Sequence, residues 1–124
     1  PLATDEPAPR SQKGDHSNMA KYLIHGNYVD DGIKGLMKEG GSSRRAEITK
    51  LVESVGGSLE SLYYAFGDTD VYVIVDLPDN ITAAGLSLIT NASGAVTVGV
   101  TVLITPEEMD AAAQMTPDYR PPGS

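Results

Sequence analysis

His25 is the only histidine of the patterned part of the chain, and its position suggests acid–base chemistry. It lies in residues 21–28, a segment whose alternation is typical of a β-strand, so that Leu23, His25 and Asn27 share one face. If that face lines a cavity, the imidazole can act as a general base near neutral pH. The alternative, which we favour, is a buried polar residue that is hydrogen-bonded at a subunit interface.

Tyrosines form the second group of candidate functional residues. The chain has six tyrosines against one phenylalanine and no tryptophan. Strand alternation places Asn27 on the same face as His25. On that face we expect Tyr72, and with it Tyr64, to lie within reach of His25. Tyrosine hydroxyls can line a ligand pocket, but tyrosine also suits half-exposed sheet faces and interfaces, and we favour that packing role. Asn27, Tyr64 and Tyr72 are therefore candidate ligand-binding residues beside the candidate catalytic His25.

Two arginines, Arg44 and Arg45, follow the break at residues 40–43 and lie near the predicted start of a helix. Guanidinium and backbone N–H groups at such a place can bind an anion. No glycine-rich phosphate-binding motif accompanies them, so a solvated helix start is the favoured interpretation and ligand binding the alternative. Turn formation explains Asp68 and Asp70, and the sequence predicts neither a metal site nor a cofactor.

Composition excludes several classes of function. The chain has 124 residues, the usual size of one domain, with a formal net charge of -8, which argues against nucleic acid as a partner. With no cysteine it has neither a disulfide framework nor a thiolate metal site. No apolar run approaches the roughly 20 residues of a membrane span, and the N-terminus lacks an apolar signal segment, so we expect a soluble, cytoplasmic protein.

The elements that position these residues are organised around residues 58–77. Two runs rich in Tyr, Val and Ile flank Gly67-Asp68-Thr69-Asp70, a pattern that predicts a β-hairpin. The other predicted elements begin with a strand over 21–28, a short helix capped by Asp30, and a helix capped by Ser43 that stops at Gly56-Gly57. A helix over 81–93, capped by Pro78-Asp79-Asn80, and a strand over 95–104 follow, and the last element is a helix from the capping box at Thr105 to about 115. Alternation in the strand over 95–104 places Thr97, Gly99, Thr101 and Leu103 on one face.

This order, β-α-β-β-α-β with an extra C-terminal helix, predicts an α+β, ferredoxin-like fold with a four-stranded antiparallel sheet. The domain is expected to occupy residues 19–115. Residues 1–18 are too polar to order themselves and are interpreted as a cloning remnant, a flexible extension or an arm that orders on a partner. Residues 116–124 are predicted to be an extended tail.

The face of the sheet away from the helices is predicted to carry too much apolar surface for water. A second copy is the simplest cover, because two-fold partners present the same patch to each other. The predicted dimer interface comprises Leu23, Leu62, Phe66, Ile74 and Leu103.

From Met19 onward the sequence resembles the GYD domain family of the dimeric α/β-barrel, ferredoxin-like superfamily. The likeness covers essentially all of the patterned chain, including the break GGSSRR at residues 40–45, the segment LITPEEMDAAA and the final YRPPG. The turn that gives the family its name reads Gly67-Asp68-Thr69-Asp70 here, without the aromatic residue. The resemblance implies a ferredoxin-like, barrel-forming dimer, and it implies no particular activity.

The leading functional hypothesis is a small homo-oligomeric module that binds a small molecule or acts through its assembly. Its expected partners are copies of itself and a small molecule, with no nucleic acid and no membrane. One alternative is a cofactor-independent oxygenase or isomerase that uses a cavity around His25, an argument by fold alone. Another is a structural subunit of a larger ring or fibre, linked by residues 1–18.

Overall fold

A four-stranded antiparallel sheet organises the computed structural model, which describes residues 19–124. The sheet order is β2-β3-β1-β4, so the first and third strands are central and the second and fourth form the edges. The elements are β1 (Ala20–Tyr28), α1 (Asp30–Glu39), α2 (Gly41–Ser54), β2 (Ser58–Tyr64), β3 (Val71–Leu77), α3 (Asn80–Ala92), β4 (Val96–Leu103) and α4 (Pro106–Ala113). The predicted ferredoxin-like fold is confirmed.

The core lies between one face of the sheet and the helices. Strand β3 supplies four of its buried residues because every second side chain points to the helices. The buried set is Tyr22, Val52, Val71, Val73, Val75, Leu77, Ala83 and Leu86. Tyr22 keeps its hydroxyl satisfied by donating a hydrogen bond of 2.6 Å to Oδ1 of Asn80, and its burial raises its pKa.

Strand β2 contains an irregularity that decides which side chains face which way. The pairing of β2 with β3 shifts between Leu59 and Ser61, where Glu60 has no partner. Such a bulge reverses the alternation, because one extra residue enters one strand only. As a result Leu59, on one side of the bulge, and Leu62, on the other, both pack against the core.

Two of the predicted helix caps are present and two are wrong. The Thr105 hydroxyl accepts a hydrogen bond from the Glu108 backbone N–H, and the Glu108 carboxylate accepts one from the Thr105 backbone N–H. These two bonds complete the predicted capping box. Asp79 accepts from the backbone N–H of Thr82 at the start of α3. By contrast, Asp30 is already the first residue of α1, with Val29 at the cap position.

The second wrong cap is Ser43, which lies inside the first turn of α2. That helix begins at Gly41, after Gly40 turns the chain with a positive φ of 87°. Glycine adopts this conformation at little steric cost, so the two helices can succeed each other with a single residue between them. Arg44 and Arg45 are therefore the fourth and fifth residues of α2, near the start of a helix as predicted.

The C-terminal part of the chain extends away from the sheet. Residues 106–124 are all exposed, and α4 ends at Ala113, two residues before its predicted end. Residues 116–124 form no helix or strand. The predicted leader, residues 1–18, lies outside the described residues. No helix within residues 19–124 combines the length and apolarity needed to cross a bilayer.

Candidate functional site

Four residues form a row across the whole open face of the sheet, the face away from the helices. Tyr63 is paired with Tyr72, Tyr72 with His25, and His25 with Gly99. Directly paired residues of antiparallel strands point to the same side, so these four share one face. We call this set the His25 row. It confirms the predicted direction of His25 and places Tyr72 beside it.

The next two rows of the open face change its character. Ser61, Ile74, Leu23 and Thr101 form the row beside the His25 row, and Ser58, Asp76, Lys21 and Leu103 form the one beyond. In this outer row the Lys21 ammonium donates a hydrogen bond of 2.9 Å to the Asp76 carboxylate, and it also donates one to the carboxylate of Glu60. These hydrogen bonds raise the pKa of Lys21, the one with Glu60 most strongly. The face thus runs from aromatic and imidazole groups, through aliphatic ones, to charged ones.

The connector between β2 and β3 folds back onto the end of β1 and builds a wall beside His25. The Asp70 carboxylate accepts from the backbone N–H of Tyr28 at 2.9 Å. The Asp70 backbone N–H lies 3.0 Å from both the Asn27 amide oxygen and the Gly26 carbonyl oxygen. Asp70 therefore ties the connector to β1, a neighbouring strand, whereas the sequence predicted only a role in the turn.

A shallow polar cavity of about 190 Å³ lies between this connector and the beginning of β4. It is lined by His25, Gly26, Asn27, Thr69, Thr97, Val98 and Gly99. The Asn27 amide oxygen is occupied by Asp70, which leaves its amide N–H groups as donors toward a ligand. Asn27 is thus brought to the same cavity as His25, as the sequence predicted.

The chemistry available at this cavity is hydrogen bonding. His25 is half-buried, and its imidazole is not hydrogen-bonded to any other residue in the 19–124 range. A general base is normally oriented by a third group, as the carboxylate orients histidine in a catalytic triad. Nor does the described part of the chain contain a cluster of three or more histidine, aspartate and glutamate residues that could hold a metal ion.

Three of the five predicted interface residues lie on the open face, and two predictions are wrong. Leu23, Ile74 and Leu103 occupy it. Leu62 is paired with Val73 and packs against the core, because the bulge at Glu60 turns it to the helices. Phe66 lies beyond the end of β2 in the connector, where it is fully exposed and belongs to neither strand face.

The predicted ligand-binding residues divide between the two sides of the sheet. Tyr64 is paired with the buried Val71 on the helix side, and its hydroxyl donates to the Gly41 carbonyl at 3.0 Å. Its placement near His25 is therefore wrong, and burial on the helix side raises its pKa. Arg44 and Arg45 are also on that side, so they do not share the cavity of His25.

The structure adds site residues that the sequence interpretation missed. Tyr63 takes the place expected of Tyr64, and Gly99 lies under the imidazole. Thr69 and Thr97 contribute hydroxyl groups to the cavity wall. The alternation of β4 indicated that Thr97 and Gly99 face the same way as His25, whereas nothing in the sequence marks the bulge that exchanges the two tyrosines.

The fold and this open-faced sheet define an α+β protein of ferredoxin-like topology. The family model of the GYD domain matches residues 22–113, and the chain belongs to that family. Neither the comparison with curated proteins nor that with solved structures finds a match.

Proposed function

We propose that this GYD-domain protein is a homodimeric binding module whose two open sheet faces close over the cavity of His25 and hold a small molecule there. The observation that carries the proposal is the position of the His25 row directly beside the aliphatic pair Leu23 and Ile74 on a sheet face that no other described element covers. Leu23 and Ile74 supply apolar surface to bury, and the row supplies hydrogen-bonding groups at its border.

A second copy is a suitable cover because the open face can complement itself. In a two-fold interface each patch meets the same patch of the partner, so aliphatic side chains can meet at the axis. The polar rows lie on either side of this aliphatic centre, where a partner would bring its own polar groups. Closing the face would also convert the shallow cavity into an enclosed one, in which each hydrogen bond to a ligand gains strength.

The groups around the cavity favour a ligand that is neutral and carries hydrogen-bonding groups. An imidazole, the Asn27 amide, two threonine hydroxyls and the nearby Tyr72 phenol offer donors and acceptors without a fixed charge. Binding rather than catalysis is favoured because no carboxylate within residues 19–124 orients His25. A cofactor-independent oxygenase or isomerase using His25, or a purely structural assembly subunit, would appear as different outcomes of the same experiment.

The test replaces His25 with Gln, which can hydrogen-bond but cannot take up a proton at neutral pH. We expect His25→Gln to weaken the dimer or to lower the free energy of unfolding by about 1 kcal/mol, with no turnover to be lost. Light scattering and thermal melting are measured on both proteins, together with a turnover screen against small aromatic and oxidisable compounds. If the wild type shows turnover and a folded, fully assembled His25→Gln variant does not, the protein is an enzyme and the proposed binding function is wrong.

A further inference from the structure

The helix layer on the other side of the sheet is split by a cleft. One wall is formed by α1 and α2, which contact each other, and the opposite wall by α3, which packs on β3 and β4. An outer chamber of about 420 Å³ opens between α1 and α3, and an inner chamber of about 110 Å³ lies against the sheet. The two chambers adjoin each other, because their linings share Tyr28, Arg44, Leu51, Thr90 and Val96.

The inner chamber exists because the floor of the cleft is built of short side chains. Val71 and Val73 of β3 and Val98 and Val100 of β4 line it, where longer side chains would reach the helices. The one phenylalanine of the chain, Phe66, lies in an exposed connector and fills none of this space. The result is a lining that is aliphatic apart from a few polar groups, as in small-molecule sites.

Arg44 is the charged residue common to both chambers. Its guanidinium lies 3.7 Å from the Glu39 carboxylate, a separation longer than a hydrogen bond, and both side chains are partly exposed. None of the guanidinium N–H groups is hydrogen-bonded to another side chain or backbone group of residues 19–124, whereas the Arg44 backbone N–H donates to the Gly40 carbonyl. Arginine therefore offers an unused fork of donors at the junction of a polar mouth and an apolar interior, the geometry that binds a carboxylate in bidentate fashion.

We propose that this cleft binds a small amphipathic carboxylic acid, with its hydrocarbon tail in the inner chamber and its carboxylate on Arg44. Asp31 and Glu39 line only the outer chamber, where solvent screens them, whereas Arg44 also lines the inner one. A carboxylate bound on Arg44 would compete with Glu39, whose carboxylate lies 3.7 Å from the guanidinium, and Arg44 is the one charged residue in the lining of the inner chamber. The site lies on the helix side of the sheet, opposite the proposed dimer face, and shares only Val98 with the lining of the His25 cavity.

The test titrates the protein with octanoate and follows backbone and methyl resonances by NMR. We expect saturable shifts at the inner chamber, among them Ile48, Leu86 and Val100, none of which lines the His25 cavity. Arg44→Gln should raise the dissociation constant for octanoate about tenfold, since one charge-assisted pair is lost. The matched control is Arg45→Gln, because Arg45 is the adjacent arginine in the sequence yet lines neither chamber. It should change the constant less than twofold.

One further variant and one further ligand test the same proposal. Ser87→Leu extends a side chain from α3 into the inner chamber and should abolish binding while the thermal transition stays cooperative. Octylammonium, with the same tail and the opposite charge, should bind more weakly than octanoate. Octanoate shifts confined to the open face, equal loss in both arginine variants, or tighter binding of octylammonium would each overturn the proposal. None of these readouts depends on whether the chain dimerises.

Discussion

The imidazole of His25 lies directly against Gly99 on the neighbouring strand. A Cβ atom at residue 99 would lie 2.6 Å from Cε1 of His25, closer than carbon atoms approach without a shift. The glycine thus leaves the space into which the ring settles, and it sets the depth of the cavity. A residue with no side chain at this point of β4 is therefore part of the candidate site.

Replacing Gly99 with Ala should move the His25 ring without unfolding the protein. The atoms that would clash belong to the end of a half-buried side chain that can rotate away, so we expect a stability change below about 1 kcal/mol. The His25 ring resonances, assigned by comparison with His25→Gln, should shift strongly. In the control Gly85→Ala, the added methyl group meets no atom within 4 Å and the ring resonances should stay in place. Unchanged His25 resonances in Gly99→Ala would contradict the observed packing.

Two glycines of α1 make a matched pair for the attachment of this helix to the sheet. A Cβ at Gly32 would come within 1.9 Å of the Ala95 carbonyl oxygen, whereas one at Gly35 would meet nothing within 4 Å. Gly32→Ala should lower the free energy of unfolding by about 1–3 kcal/mol through overpacking against backbone. Gly35→Ala should raise it by roughly 0.5–1 kcal/mol, because alanine is the better helix residue. Chemical denaturation measures both, and equal effects would show that α1 does not press on Ala95.

Acid should remove the contribution of the α3 cap. The Asp79 carboxylate accepts hydrogen bonds from the Thr82 backbone N–H and from the Thr82 hydroxyl. Both bonds lower the pKa of Asp79 below its ordinary value of about 3.9, and the bond from the backbone N–H contributes more. A lowered folded-state pKa stabilises the protein above the unfolded value, and this stabilisation is lost as the pH falls from there through the folded value. Asp79→Asn keeps an acceptor oxygen but has no charge.

The difference in melting temperature between wild type and Asp79→Asn should therefore be full at pH 7 and shrink progressively as the pH falls below the unfolded-state pKa of about 3.9. Other carboxylates titrate in both proteins and cancel in this difference. A difference that is constant from pH 7 down to pH 2 would show that the charge of Asp79 contributes nothing to the cap.

Local sequence signals predicted the fold and part of the candidate site. The alternation of β1 and β4 placed His25, Asn27, Thr97 and Gly99 correctly, because strand period alone decides these directions. The capping box at Thr105 was likewise readable, since all its partners lie within four residues. Features of this kind depend on neighbours in the sequence.

The wrong sequence predictions concern features that depend on contacts between residues far apart in the sequence. The bulge at Glu60 depends on how β2 pairs with β3, and its position exchanges Tyr63 with Tyr64 and turns Leu62 inward. The cleft beside Arg44 depends on the separation of α2 from α3, which no residue pattern within either helix encodes. The residues around the start of α2 thus indicated Arg44 and Arg45 as candidate ligand-binding residues, but not the cleft, which Arg44 borders and Arg45 does not.

The mass of the protein in solution is the most direct test of the proposed closure of the open face. We predict that light scattering gives about twice the chain mass of 13.0 kDa for the wild type. Ile74→Asp should give the single mass or unfold, because an unpaired charge buried at an interface costs several kcal/mol. Ile81→Asp makes the same change at a side chain that is 83% exposed on α3, and it should leave the mass doubled. A single mass for the wild type, or a doubled mass for folded Ile74→Asp, would contradict the account.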